Sequence, residues 1–101
     1  MKEPITLACR VAARHDVLFR DLDGEMVLLD LRTGVYCSLD PLGTRIWALA
    51  QEGRSLADVV EAVVDEYDVS TERFSADLLG FVASLREKGL VEVVPLRAIA
   101  R

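Results

Sequence analysis

Three short runs in the first half of the chain are rich in apolar residues and are bounded by turn residues, as β-strands are. The first run, Val17–Leu22, leads into Asp23-Gly24, a pair that favours a tight hairpin turn. The chain returns over residues 25–31 and turns again at 32–34, where a glycine can adopt positive φ. A third run follows over 35–39. The pattern predicts a three-stranded antiparallel meander.

Alternation also predicts which strand side chains lie together, leaving one face of the sheet for a core. In the second run, one face carries Val27, Leu29 and Leu31. In the third run, one face carries Val35, Cys37 and Leu39, and the opposite face carries Tyr36 and Ser38.

The second half of the chain predicts three helices. Asp40-Pro41 has the form of an N-cap followed by proline at the first helical position, and this helix stops at Gly53. Ser55 caps a second helix with a valine-rich apolar stripe. Ser70 caps a third helix, which ends at Lys88-Gly89. Its apolar stripe consists of Phe74, Leu78, Phe81, Val82 and Leu85.

Three strands followed by three helices predict one α+β domain, a winged helix-turn-helix whose sheet comes first. We expect this domain to span residues 15–94, with a final short strand over 90–94. Residues 1–14 are predicted to form an N-terminal arm or an extra strand, and residues 95–101 a C-terminal tail.

The charge of the chain argues against nucleic acid as a partner. The net charge is −5, and the segment 52–72 is acidic, with Arg54 as its only base. Nucleic-acid-binding domains need a basic face, and no basic cluster suits a membrane surface either. Because no apolar run could span a bilayer and no secretory signal is evident, we expect a cytoplasmic protein with Cys9 and Cys37 reduced.

The residues that support catalysis are scarce. His15 is the only histidine, so a histidine-based metal site or a Ser-His-Asp triad is not expected. The glycines are scattered and form no phosphate loop. Asp58, Glu61 and Asp65 face away from the valine stripe, as a solvated helix face does. We therefore predict a non-enzymatic domain with no cofactor, no metal and no catalytic residue.

The edge of the sheet is the remaining candidate for function. In a meander the third strand has one neighbour, so one row of its backbone N–H and C=O groups lacks a partner. Residues 35–39 contain no charge and no proline, and a peptide could add a strand there. In the alternative interpretation, these side chains pack on the helices and the N-terminal segment covers the edge. Leu79 lies outside the apolar stripe of the third helix. It is compatible with two positions, the wall of a groove between this helix and the edge strand, or the plain surface of the helix.

The string LLDLRTGVYCSLD over residues 28–40, followed by Gly43 and Ile46-Trp47, resembles the PqqD-like family. These are the leader-binding domains, or RiPP recognition elements, of ribosomal peptide natural-product pathways. The resemblance covers about residues 15–92. Within this family, the chain is most similar to the stand-alone leader-binding proteins of lasso-peptide biosynthesis. Quinone-cofactor members usually carry a Pro-Glu-Gly-like turn where this chain has Arg32-Thr33-Gly34.

The resemblance implies that a precursor leader peptide pairs along the third strand and inserts apolar side chains into a cleft against the third helix. The domain would then present the precursor to a leader peptidase of the transglutaminase-like cysteine-protease type and to an ATP-dependent cyclase. The strand residues predicted to bind the peptide are Val35, Tyr36, Cys37, Ser38 and Leu39. The helix residues predicted to form the cleft wall are Asp77, Leu78, Leu79, Val82 and Arg86.

Three other functions stay open at this stage. A PqqD-like chaperone for a radical-SAM peptide-modifying enzyme has the same sequence features. A subunit that binds a folded partner protein would use the same surfaces. A winged-helix DNA-binding regulator would need a basic third helix, whereas the charges on this one are nearly balanced.

Overall fold

Five strands and three helices make up the structure, a computed structural model that describes residues 4–95. The elements in chain order are β1 (Arg10–Ala13), β2 (Val17–Leu22), β3 (Glu25–Asp30), β4 (Tyr36–Ser38), α1 (Pro41–Gln51), α2 (Leu56–Glu66), α3 (Thr71–Glu87) and β5 (Val91–Val94). The α+β class and the order of three sheet strands followed by three helices are confirmed. The expected tail lies, apart from Pro95, outside the described residues.

The predicted turns form where the sequence places them. Asp23 and Gly24 both have positive φ, 58° and 88°, as a two-residue hairpin turn between β2 and β3 requires. The Gly24 amide also donates to Asp21 Oδ1 at 2.7 Å. Between β3 and β4, Gly34 adopts φ 76° and its amide donates to the Asp30 carbonyl at 2.8 Å. These two turns fix the antiparallel order β2-β3-β4.

Each helix begins directly after the residue whose side chain was predicted to cap it. Asp40, Ser55 and Ser70 accept hydrogen bonds from the free amides of the first helical turn. Pro41 occupies the first position of α1, where its missing N–H breaks no helical bond. Local sequence therefore determines where the helices start.

A second sheet forms from the two ends of the described chain. β1 pairs antiparallel with β5, with Val11 opposite Val93, so residues 10–13 form a strand. The carbonyls of Leu7 and Cys9 accept hydrogen bonds from the first amides of α2. This N-terminal segment is therefore held against β5 and α2 and does not pair with β4.

The core lies between the helices and one face of the three-stranded sheet. On β3 this face carries Met26 and Leu28, whereas Val27 and Leu29 lie half-buried on the outer face. The sheet register places Phe19 beside Leu28. Trp47 of α1 packs edge-to-face against Phe19, with ring centroids 5.2 Å apart. Aromatic and aliphatic contacts thus join α1 to the sheet.

Candidate functional site

The outer edge of β4 has unpaired backbone groups. β4 pairs with β3, and no other described strand lies along its second edge. The Asp30 amide donates to the Val35 carbonyl at 2.9 Å, and the Leu39 amide donates to the Met26 carbonyl at 2.8 Å. Because backbone direction alternates along a strand, the N–H and C=O groups of Tyr36 and Ser38 point towards the open edge.

A groove runs beside this edge, between β4, α1 and α3. Its larger cavity has a volume of about 450 Å³, and a second cavity of about 330 Å³ shares Cys37 and Lys88 with it. The two cavities therefore meet along β4, and together we call them the groove. Its apolar lining is Cys37, Leu39, Leu42, Ile46, Phe74, Leu78, Phe81 and Leu85 in the first cavity and Val35, Tyr36 and Leu90 in the second.

An ion-pair network holds the β3–β4 turn against the end of α3. Arg32 Nη2 lies 3.0 Å from Asp30 Oδ2, and its Nε lies 3.0 Å from Asp16 Oδ2. Arg32 Nη2 also donates to the Gly89 carbonyl at 3.3 Å. Gly89 adopts φ 75°, which favours glycine, and a Cβ there would lie 2.6 Å from that nitrogen, so a side chain would displace the Arg32 guanidinium. The network thereby fixes one end of the groove.

The same contacts change the protonation behaviour of Asp30. Its side chain is almost fully buried and accepts hydrogen bonds from the Arg32 guanidinium and from the Arg32 backbone amide. These bonds hold the pKa of Asp30 below its ordinary value, and the Asp30 carboxylate raises the pKa of Arg32. The pair therefore stays charged throughout the neutral range.

The other end of the groove depends on Thr44 and Gly43. The buried Thr44 hydroxyl accepts from the Met26 amide at 2.8 Å and donates to the Leu39 carbonyl at 3.3 Å, which joins α1 to β3 and to the end of β4. A Cβ on Gly43 would lie 3.4 Å from the Phe81 ring and 3.1 Å from Asp40 Oδ1. The glycine thus lets α1 approach α3 closely at the groove floor.

The predicted strand residues all lie at the groove. Cys37, Ser38 and Leu39 line its larger cavity, and Val35, Tyr36 and Cys37 line the smaller one. Leu39 is buried, whereas Tyr36 is 71% exposed and Val35 64% exposed. The regular strand is shorter than the predicted run, because Val35 belongs to the turn: its amide donates to Thr33 Oγ1.

The predicted helix residues are divided. Asp77 and Leu78 line the groove, but Leu79, Val82 and Arg86 are not among its lining residues. Val82 is buried in the core and Leu79 is half-buried against it. The side chains of α3 and its C-cap that line the groove beyond the predicted ones are Phe74, Phe81, Ser84, Leu85 and Lys88. They follow one helical stripe, whose apolar members the sequence had assigned to the core.

Other candidate chemistry lies away from the groove or is not found. Asp58, Glu61 and Asp65 surround a separate shallow depression on α2 together with Arg54. Within residues 4–95, no group of three or more His, Cys, Asp or Glu side chains is placed to hold a metal ion. In the same residues, no helix has the length and apolar character needed to cross a bilayer.

Comparison with known proteins identifies the family. The family model for coenzyme PQQ synthesis protein D (PqqD) matches residues 25–91. This chain belongs to the PqqD family. The match extends from the start of β3 to the start of β5, so it contains both walls of the groove. A search among curated proteins found no match.

Two solved structures are similar to this PqqD-family chain. One is TbiB1 in complex with the TbiA(beta) leader peptide, 39% identical, with a TM-score of 0.77, covering 79% of this chain and 93% of that one. The other is a lasso peptide synthetase B1 complexed with the leader peptide, 31% identical, with a TM-score of 0.78, covering 82% of this chain and 98% of that one. The predicted family is confirmed, and so is the predicted similarity to leader-binding proteins of lasso-peptide biosynthesis.

The Asp30–Arg32 pair predicts a specific pH dependence of stability. Because the pKa of Asp30 is lower in the folded state than the unfolded value of about 3.9, the ionised Asp30 carboxylate stabilises the fold above that pH. This stabilisation is lost as the pH falls through the folded-state pKa of Asp30. In urea denaturation, we expect Asp30→Asn to be less stable than the parent at pH 7 and the gap to narrow towards pH 2. The control, Ala76→Ser at an exposed position of α3, changes no titratable group and should keep the same gap from the parent at both pH values. An equal gap for Asp30→Asn at both pH values would contradict this prediction.

Proposed function

We propose that this chain binds the leader segment of a ribosomally made precursor peptide, which adds a strand to the open edge of β4, in lasso-peptide-type biosynthesis. The observation that carries the proposal is the open edge itself, with an apolar groove directly beside it. The two similar structures, both complexed with leader peptides, support it.

The groove provides both backbone pairing and side-chain recognition. The N–H and C=O groups of Tyr36 and Ser38 offer four hydrogen-bonding positions, each worth about 0.5–1.5 kcal/mol net. Alternate side chains of an added strand would enter the groove between Phe81 and Leu39, and apolar burial contributes about 25 cal/mol per Å². Because association has its own entropic cost, we expect affinity in the micromolar range, about −8 kcal/mol.

We further propose that the bound precursor is presented to a leader peptidase and an ATP-dependent cyclase in the cytoplasm. A domain that holds the leader raises the local concentration of the precursor at an associated enzyme. In this proposal the domain supplies binding and orientation and performs no reaction, since its open edge and apolar groove offer contacts for a peptide backbone and apolar side chains.

The same groove would also suit a chaperone for a radical-SAM peptide-modifying enzyme. The identities of 39% and 31% to two proteins solved with leader peptides, one of them a lasso peptide synthetase B1, favour the lasso pathway. A DNA-binding regulator receives no such support, because the chain carries a net charge of −5 and the charges on α3 are nearly balanced, whereas DNA binding needs a basic face.

Proline at Ser38 tests strand addition at one backbone N–H group of the open edge. The Ser38 amide points towards the open edge, so Ser38→Pro removes a donor that the sheet itself does not use. With a fluorescein-labelled leader peptide of a lasso-peptide precursor from the same pathway, anisotropy should show saturable binding to the parent protein. Ser38→Pro should weaken it at least tenfold, a loss of about 1.4 kcal/mol or more.

Ser38→Ala is the matched control, because it keeps the amide and should bind within about twofold of the parent. Circular dichroism establishes that both variants are folded. Proline at Cys37 does not test the open edge. Val35 and Leu39 bond to β3, so the Cys37 amide, two residues from each, also faces β3, and its loss would disturb the sheet itself. Unchanged binding by folded Ser38→Pro would contradict strand addition.

Phe81→Ala tests the side-chain component. The Phe81 ring is half-buried at the groove floor beside Gly43, so its removal deletes apolar contact with the peptide. We expect at least a tenfold rise in the Kd of the labelled leader, corresponding to roughly 1.5–3 kcal/mol for an aromatic contact. Tyr67→Ala, an aromatic truncation at the end of α2 and outside the groove, should bind as the parent does. Equal affinities for the two variants would place the binding surface elsewhere.

A further inference from the structure

Five charged residues line the groove, and the fold already uses three of them. Asp30 and Arg32 bind each other, and Asp40 caps α1 through the Gly43 amide. By contrast, Asp77 and Lys88 make no ion pair and no side-chain hydrogen bond with any residue between 4 and 95. The groove therefore presents one acid and one base whose charges are available to a ligand.

These two side chains lie at different positions along the groove. Asp77 lines only the larger cavity, which extends to the start of α1. Lys88 lines both cavities and lies beside the β3–β4 turn. Lys88 is the C-cap residue of α3 and follows Asp77 by eleven positions, which corresponds to about 16 Å along a helix. A peptide strand that follows the groove thus passes an acidic position and a basic position in turn.

We propose that Asp77 and Lys88 select leader segments with one basic and one acidic side chain, four or six residues apart, flanking an apolar stretch. This inference rests on the proposed function. A strand rises about 3.3 Å per residue, so 16 Å corresponds to roughly five residues. Because alternate side chains face opposite sides, two groups that both face the groove are separated by an even number of residues.

The expected preference is modest and depends on salt. Asp77 and Lys88 are solvent-exposed, and a surface ion pair changes affinity by about two- to fivefold. Reversing both charges turns two attractions into two repulsions, which enlarges the effect on any one peptide. Added salt at about 1 M shortens the screening length to about 3 Å and should reduce the preference.

A displayed peptide library tests the inference without knowledge of the natural leader. Yeast displaying random twelve-residue peptides are sorted for binding to the parent protein, to Asp77→Lys/Lys88→Glu, and to the control Arg54→Glu/Glu61→Lys. The control makes the same exchange of charges on the α2 surface, outside the groove. Both double variants keep the net charge, and all four positions are exposed, so folding should be preserved.

Peptides enriched by the parent and by the control should carry a basic and an acidic residue in one order at the stated spacing. Asp77→Lys/Lys88→Glu should enrich the opposite order. Two outcomes would overturn the charge selection while leaving strand addition intact. In one, the enriched peptides are apolar and show no preferred order of basic and acidic residues. In the other, the parent and Asp77→Lys/Lys88→Glu enrich the same order. Failure of every protein to enrich any peptide would overturn the proposed function itself.

Discussion

The open edge and the groove beside it both depend on the position of the three residues of β4. The ladder to β3 engages the backbone of Val35 and Leu39, which directs the groups of Tyr36 and Ser38 outwards. So short a strand is not stable by itself, and its two ends are fixed by other contacts. Arg32 fixes the turn before it, and the Thr44 hydroxyl fixes the Leu39 carbonyl after it. The open edge is thus a rigid template, which lowers the entropic cost of adding a strand.

Features determined by neighbouring residues could be predicted from the sequence. The Asp23-Gly24 turn and the caps at Asp40, Ser55 and Ser70 depend on local backbone preferences, and they occur as predicted. The family could also be inferred from the string over residues 28–40. By contrast, the pairing of β1 with β5 joins segments about eighty residues apart, and no local pattern specifies that partner.

The wall of the groove was only partly predictable, for a geometric reason. Helical periodicity shows that Phe74, Leu78, Phe81 and Leu85 share one side of α3, but it does not show where the sheet that covers them ends. Because β4 is the edge strand of the three-stranded sheet, the apolar stripe of α3 continues past the core and into the groove. Lys88 gave no apolar signal at all, and its position became apparent only from the contact between the β3–β4 turn and the end of α3.

Amide hydrogen exchange measured by NMR tests strand addition most directly, since it reports on individual backbone N–H groups. With the labelled leader peptide bound, strand addition predicts that the Tyr36 and Ser38 amides become protected, because each gains a hydrogen-bond partner at the open edge. The Leu39 amide, already bonded to Met26, should change far less. Saturable binding with no added protection at Tyr36 and Ser38 would contradict strand addition and place the peptide on another surface.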